Sequence, residues 1–259
     1  MFSVLFEVQP RPGKWDDYLD NAKMLRTELE RINGFVDNIR YKSLQREGWI
    51  LSLSSWRDEK SLVRWRTTQN HHSVQQRGRA DILENYHLRV GEIFADNMVP
   101  TGMHLLHQRS DETEVGEGTM VTIITATRPA GHPANVIACS QFPGLDIYSG
   151  DALVDWDVYD AVLMPGDLCL MLVWKDCNAV EYFDSGEGVL LPDTHRIRHI
   201  RVVRDYTMLD RREAPQYYPS VNRTANFMSG RSTAAQPRFC GGFGKLRNRE
   251  QRADRTSQL

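Results

Sequence analysis

Two stretches of the sequence share one pattern: Leu51-Ser-Leu-Ser-Ser-Trp56-Arg-Asp58 and Cys169-Leu-Met-Leu-Val-Trp174-Lys-Asp176. Each is a run of strand-forming residues that ends in Trp, a basic residue and Asp. Each is followed further along the chain by an Arg-bearing β-type run, at residues 86–94 and 195–203. A pattern that recurs in the same order predicts a tandem repeat of one structural unit.

The first copy predicts the element order β-α-β-β-α-β. Residues 15–32 favour a helix because apolar residues recur there at steps of three and four. Strands are predicted before this helix and, as a hairpin, after it at residues 35–43 and 49–56. A second helix begins at Asp58, and a last strand begins near Tyr86. This order is typical of the ferredoxin-like fold, whose sheet carries helices on one face and leaves the other face open.

The second copy has the same order in a shortened form. It predicts a strand over residues 119–127, a short helix over 135–142 and a stub of helix over 178–184. The acidic stretch from Asp146 to Asp160 lacks the spacing of a calcium loop, so it predicts a solvated loop. We expect an α+β protein of two ferredoxin-like repeats, packed sheet to sheet as a pseudo-dimer because an open apolar sheet face needs a partner. The predicted domains are residues 1–107 and 119–210, followed by an extended basic arm over 211–259.

Charge and composition exclude some classes of partner. The formal net charge of -2 gives no reason to expect nucleic acid binding. No apolar run approaches the roughly 18 residues of a membrane span, so no membrane partner is expected. The four cysteines form no C-x-x-C pair, which suits a reducing, cytoplasmic location. The basic arm could join subunits into a homo-oligomer.

The first copy resembles the antibiotic biosynthesis monooxygenase superfamily, the dimeric α+β barrel proteins. The likeness is carried by residues 51–60, then Trp65-Arg66, His71, residues 75–79 and residues 86–90, in this order. The resemblance implies a pocket for a small molecule between the helices and the sheet. It also implies either cofactor-free oxygenation of electron-rich aromatic polyketides or heme degradation, since the superfamily includes both activities.

The expected substrate is a small aromatic or polyketide-like metabolite that reacts with O2, and no cofactor or metal site is predicted. Trp65, His72, Gln76 and Arg79 fall on one side of a continuous helix, at steps of seven, four and three. A histidine there titrates near neutral pH and can accept the proton of a phenol, and an arginine can hold the oxyanion. The expected residues are catalytic His72, His71 and Arg79, with substrate-binding Trp65, Arg66, Gln76 and Phe6.

Three alternatives stay open at this point. Heme-degrading relatives use a strand-one Asn, a helix Trp and a helix His, and the corresponding positions are Phe6, Trp65 and Gln75; heme is therefore the alternative cofactor. The protein could also bind a metabolite without turning it over. Structural roles compete as well, because Trp56, Trp174 and Trp65 have core spacing and adjacent His71 and His72 point about 100° apart on a helix.

Overall fold

The computed structural model of the protein describes residues 1–108, 116–127, 151–185 and 194–210. The first half contains four strands, three helices and one π-helical turn: β1 (Phe2–Pro10), α1 (Trp15–Glu30), β2 (Phe35–Ser43), β3 (Ile50–Trp56), α2 (Glu59–Arg66), α3 (Gln69–Arg77), the π-helical turn (Gly78–Ile82) and β4 (Leu83–Asp96). In the second half the described elements are β5 (Met120–Thr127), β6 (Leu153–Ala161), β7 (Asp167–Trp174), α4 (Cys177–Ser185) and β8 (Arg196–Thr207). The predicted helix over 135–142 and the predicted arm over 211–259 lie outside the described residues.

The repeated Trp-base-Asp pattern marks a strand end followed by a helix cap. The Asp58 carboxylate accepts from the backbone N–H of Ser61 at 2.8 Å, and Asp176 accepts from that of Ala179 at 3.1 Å. A carboxylate in this position satisfies an N–H group that the first helical turn leaves unpaired. Trp56 and Trp174 are each 1% exposed, as core residues at the junction. The predicted start of the second helix at Asp58 is therefore confirmed.

All eight described strands pair in one closed barrel, in the order β1-β3-β2-β6-β7-β5-β8-β4. Within each half the strands follow the same order, β4-β1-β3-β2 and β8-β5-β7-β6. Two antiparallel seams join the halves. The β4–β8 seam is long, running from the pair His87 and Thr207 to the pair Asp96 and Arg198, whereas the β2–β6 seam has only three paired positions. The antiparallel ferredoxin-like plan of the first half is thus confirmed.

The helices of the first half cover the outer face of its strands. Residues of α1 and α2 pack there against strand residues in one apolar cluster, which includes Phe2, Leu25, Trp56, Leu62 and Trp65. A second cluster fills the barrel interior with side chains from both halves, among them Leu5, Tyr41, Ile123, Met171 and Val202. Successive strand residues point to opposite faces, so β1, β3, β4 and β8 contribute to both clusters.

A charged network fills one end of the barrel interior, which we call the Glu7 end. The Arg46 guanidinium contacts Glu7 at 2.5 Å and Asp157 at 2.7 Å. Arg89 contacts the second oxygen of Glu7 at 2.6 Å, and the Tyr159 hydroxyl donates to Glu7 at 3.1 Å. Two cations face two carboxylates from different halves of the chain. The network therefore links the halves beside the short β2–β6 seam.

From Leu153 onward the acidic stretch of the second half is a strand and not the predicted solvated loop, while residues 146–150 lie outside the described part of the chain. β6 begins at Leu153, and its residues from Asp157 to Ala161 are buried. Asp157 points into the barrel because Arg46 neutralises it and the Ser43 hydroxyl donates to it at 2.8 Å. The compensating charge lies more than a hundred residues away in sequence, so composition alone mispredicts this segment.

Among the described residues, no helix has both the length and the apolar character needed to cross a membrane.

Candidate active site

A cavity of about 240 Å³ lies between the helices of the first half and the outer face of its strands. Apolar side chains form most of its wall, including Leu25 and Leu29 of α1, Leu62 of α2, Val74 of α3 and Ile82 of the π-helical turn. A concave, mainly apolar site with a few polar groups is typical of small-molecule binding.

Five of the seven predicted site residues line this cavity: Phe6, Trp65, Arg66, His71 and Arg79. His72 and Gln76 do not line it, and Gln76 is exposed. Their places on the cavity wall are taken by the preceding residues, His71 and Gln75.

The prediction of one continuous helix from residue 65 to residue 79 was wrong, and this explains the shift. α2 ends at Arg66 and α3 begins at Gln69, with Thr67 and Thr68 between them. The hydroxyl of Thr67 donates to the Val63 carbonyl at 3.0 Å and that of Thr68 to the Trp65 carbonyl at 3.0 Å. Such side-chain bonds to backbone carbonyls compete with helix continuation. The break rotates α3, so that a different set of side chains faces the sheet.

His71 is held in place by Trp65. Their rings stack with centroids 4.3 Å apart and planes 18° from parallel, and His71 Nδ1 lies 3.2 Å from the Trp65 carbonyl oxygen. Because a carbonyl only accepts, Nδ1 carries the hydrogen and Nε2 keeps its lone pair. Burial lowers the pKa of His71 to about 4. The His71 imidazole is therefore neutral at physiological pH.

Polar side chains form the floor of the cavity. The Asn38 amide nitrogen donates to Ser52 Oγ at 3.1 Å and to the Leu53 carbonyl at 3.2 Å, and the Tyr18 hydroxyl hydrogen-bonds with Arg40 and Ser52. Burial raises the pKa of Tyr18, so the phenol stays protonated. Two buried atoms of the floor have no hydrogen-bond partner: Asn38 Oδ1 and Arg40 Nε.

These two atoms provide one hydrogen-bond acceptor and one hydrogen-bond donor at the floor of the cavity. Asn38 Oδ1 is an acceptor and Arg40 Nε–H is a donor, and both side chains lie on the same face of β2, two residues apart. A buried polar atom without a partner costs roughly 1–3 kcal/mol. A ligand that offers both a donor and an acceptor would satisfy both atoms.

The cavity carries an excess of positive charge. Its described lining includes four arginines, Arg40, Arg66, Arg79 and Arg204, but a single carboxylate, that of Glu59. Arg204 pairs with this carboxylate at 3.3 Å. The arrangement favours a ligand with a negative charge or an oxygen that becomes negative during reaction.

Sequence reasoning missed the floor residues. Tyr18 lies within the predicted helix over residues 15–32, and Asn38 and Arg40 lie within the predicted strand over residues 35–43, so neither pattern marks them as site residues. One signal was present, because the residues of β2 that face the helices are polar where an apolar pattern is expected.

Two of the three residues expected in heme-degrading relatives are replaced by others in this lining. Phe6 and Gln75 stand on the cavity wall at the positions where heme-degrading relatives are expected to have Asn and His. The one imidazole of the described lining, His71, lies four residues before Gln75, the position expected for the ligand histidine of the heme-degrading relatives. The described residues also contain no group of three or more His, Cys, Asp or Glu side chains placed to hold a metal ion.

Comparison with known proteins identifies the family of the chain. The profile of the antibiotic biosynthesis monooxygenase family matches residues 1–77. A curated protein of Pyricularia oryzae named jasmonate monooxygenase is 44% identical over 226 residues, which span 86% of this chain and all of that protein. The chain belongs to the antibiotic biosynthesis monooxygenase family. The resemblance stated from residues 51–90 is thereby confirmed.

Solved structures show more remote likenesses. A crystal structure of an antibiotic biosynthesis monooxygenase covers 35% of this chain and 95% of its own, with 13% identity and a TM-score of 0.32. An aldoxime dehydratase crystallised with butyraldoxime covers 81% of this chain and 80% of its own, with 12% identity and a TM-score of 0.49. The assignment of the chain to the antibiotic biosynthesis monooxygenase family does not depend on either likeness.

Proposed function

We propose that the chain is a monooxygenase for a small, mainly apolar metabolite that carries an anionic or readily ionised oxygen, bound in the cavity between helices and sheet. The observation that carries the proposal is the excess of arginine over carboxylate in an otherwise apolar cavity. In surroundings of low dielectric, oriented cations stabilise negative charge more strongly than water-exposed ones do.

The floor of the cavity is proposed to orient the substrate. Arg40 Nε–H would donate to a carboxylate or carbonyl oxygen, while Asn38 Oδ1 would accept from a hydroxyl or enol hydrogen. Charge-assisted hydrogen bonds to buried groups contribute about 1.5–3 kcal/mol each. The apolar wall formed by α1 and α2 would cover the rest of the molecule and exclude water.

The chemistry is proposed to need no bound cofactor. A substrate with an acidic C–H next to a carbonyl, or a phenol, can lose a proton and pass an electron to O2. Exchange of two hydrogens of a CH2 group for one oxygen, with the second oxygen atom leaving as water, balances atoms and electrons without an added reductant. Aromatic and polyketide-like compounds meet this requirement.

The catalytic groups are proposed from the cavity wall. Arg79 and Arg40 would stabilise the oxyanion, which lowers the pKa of the substrate itself. Nε2 of neutral His71 would accept a substrate hydrogen bond, since its Nδ1 is bonded to the Trp65 carbonyl. We assign this role to His71 in preference to His72, because only His71 belongs to the lining.

Jasmonate is the first substrate to test. The relative from Pyricularia oryzae is named for it, and jasmonate combines an apolar skeleton, a carboxylate and a ketone with acidic neighbouring C–H groups. These features correspond to the apolar wall, the arginines and the polar floor of this cavity.

The two halves are proposed to be repeats of one unit, domains 1–107 and 119–210, that form a pseudo-dimer. The identical strand order in the two halves and the repeated Trp-base-Asp helix cap support this proposal. The site would then lie mainly in the first half, whose helices cover the cavity, with Arg204 and Tyr206 of the second half at its wall.

Oxygen uptake tests the proposal, with jasmonate and its uncharged methyl ester as paired substrates. We expect jasmonate turnover with a product detectable by mass spectrometry, in protein dialysed against a chelator. In Arg40→Met, kcat/KM for jasmonate should fall about 10- to 100-fold, because one charge-assisted bond is lost. Lys42→Met, which removes an exposed cation two residues along the same strand, should leave it unchanged.

Other results would count against this function. Binding of jasmonate without oxygen uptake or product would indicate a non-catalytic binding protein. Equal kcat/KM for acid and ester, unaffected by Arg40→Met, would contradict the assignment of the arginines to the anionic group.

A further inference from the structure

A second cavity, of about 250 Å³, opens at the end of the barrel opposite to the Glu7 end. β2 shows the relation of the two ends, since it starts beside this cavity at Asp37 and finishes at Ser43, which bonds to Asp157 of the Glu7 end. The cavity is lined by strands of both halves: β2 and β3 of the first, and β5, β7 and β8 of the second. We call this end the Arg198 end.

The two cavities lie on opposite faces of β2. Asn38 and Arg40 face the helices and line the first cavity, whereas Asp37, Ile39 and Tyr41 face the barrel interior and line the second. Alternate residues of a strand point to opposite faces, so the sheet separates the two spaces. Whatever binds in the second cavity does so without occupying the first.

Arg198 is a buried cation in this cavity, and no described carboxylate forms an ion pair with it. It is 3% exposed, its Nη1 donates to Ser55 Oγ at 3.2 Å, and its Nε has no hydrogen-bond partner. Its neighbour Arg196, by contrast, is paired with Asp96 at 2.8 Å. Burial of an ion costs several kcal/mol unless charge and hydrogen bonds compensate for it.

We propose that the Arg198 end is a binding site for a small monocarboxylate with a short apolar chain. The planar guanidinium matches a carboxylate in charge and geometry. Tyr41 and Thr125 line the same cavity, and each carries a hydroxyl group that can donate a hydrogen bond. Ile39, Leu53 and Leu168 form an apolar part of the wall that suits a chain of a few carbon atoms.

The other charges of the cavity restrict the ligand. Asp37 lies 3.8 Å from Arg196, and Asp167 accepts a hydrogen bond from Thr127 at 3.1 Å. Both carboxylates repel a second negative charge, which favours a monoanion over a dianion or a phosphate. Burial raises the pKa of Tyr41, so its hydroxyl remains a donor. The site is independent of the function proposed for the first cavity.

Isothermal titration calorimetry with butyrate tests the site, at constant ionic strength and with butyramide as the uncharged analogue. We expect butyrate to bind the wild-type full chain at one site and butyramide to bind at least 10-fold more weakly. Arg198→Met should lose at least 10-fold in butyrate affinity. Arg40→Met, altered in the first cavity, and Lys23→Met, altered on the exposed face of α1, should keep wild-type affinity.

Three results would overturn the proposal. The first is equal affinity of butyrate and butyramide for the wild-type protein, a comparison that does not depend on the folding of any variant. Butyrate could fail to bind at all. Loss of affinity in Arg40→Met but not in Arg198→Met would place the anion in the first cavity and would leave the proposed oxygenation untouched.

Discussion

The two ends of the barrel interior both hold arginines, but in opposite surroundings. At the Glu7 end, Arg46 and Arg89 face the carboxylates of Glu7 and Asp157. At the Arg198 end, a buried guanidinium with one hydrogen bond borders a cavity of about 250 Å³. A buried arginine can thus have two different roles, depending on whether carboxylates surround it. Where it is balanced it links elements, and where it is unbalanced beside a cavity it indicates a ligand.

The ion pairs of the Glu7 end also explain why the short β2–β6 seam is sufficient to close the barrel. β2 and β6 share only three paired positions, far fewer than β4 and β8. The Glu7 network lies beside this short seam and replaces backbone pairing with ion pairs and hydrogen bonds between the halves. Hydrogen bonds to charged groups, at about 1.5–3 kcal/mol each, exceed neutral ones.

The largest expected effect is the loss of balance at the Glu7 end. Glu7→Gln keeps the shape of the side chain but leaves Arg46 and Arg89 facing one carboxylate fewer. Removal of one partner of a buried pair costs about 3–5 kcal/mol, so the free energy of unfolding in urea should fall by that amount. Glu47→Gln, on the exposed β2–β3 loop, should change it by less than about 0.5 kcal/mol. Equal losses in the two variants would remove the distinction between the ends.

Protonation of Glu7 at low pH should abolish the same contribution to the free energy of unfolding without a mutation. Burial acts to raise the pKa of Glu7, but the guanidiniums of Arg89 and Arg46 outweigh it and hold this pKa below its usual value of 4.5. For an acid with a lowered pKa in the folded state, the stabilisation is complete above the unfolded-state value and disappears as pH falls through the folded-state value.

The measurement is the difference in unfolding free energy between wild type and Glu7→Gln as a function of pH. It should stay constant above about pH 5.5 and shrink below pH 4.5, because protonated Glu7 resembles Gln. Asp157, whose pKa is raised by burial, is present in both proteins. A difference that grows on acidification would show that Glu7 is neutral in the folded protein.

Local patterns predicted the parts of the fold that local chemistry determines. Asp58 and Asp176 follow their tryptophans at a fixed spacing, and each caps the helix that begins there. β6 was missed because the partner that makes Asp157 tolerable inside a barrel, Arg46, is distant in sequence. No window of sequence contains both residues.

The sequence predicted the position of the cavity between helices and sheet but not which residues of α3 face it. Phe6, Trp65, Arg66, His71 and Arg79 line the cavity between helices and sheet, where the resemblance implied a pocket, and their functional roles stay predictions. Because the helix breaks at Thr67 and Thr68, His71 and not His72 faces the cavity. The break was not predicted, since threonine is not a strong sequence signal for the end of a helix. Asn38 and Arg40 could not be predicted, because what distinguishes them is a missing partner, and partners are visible only in three dimensions.

The smallest expected effect is at the Arg198 end in the absence of ligand. Replacement of a buried cation that forms no ion pair with a described carboxylate, by an apolar side chain of similar length, removes a desolvation cost and breaks no described ion pair. Arg198→Met in buffer free of carboxylates should therefore change the free energy of unfolding by less than about 1 kcal/mol or increase it. Lys23→Met is the control for loss of a positive charge. A loss of the size expected for Glu7→Gln would mean that Arg198 is balanced within the protein, and the two ends would then be alike.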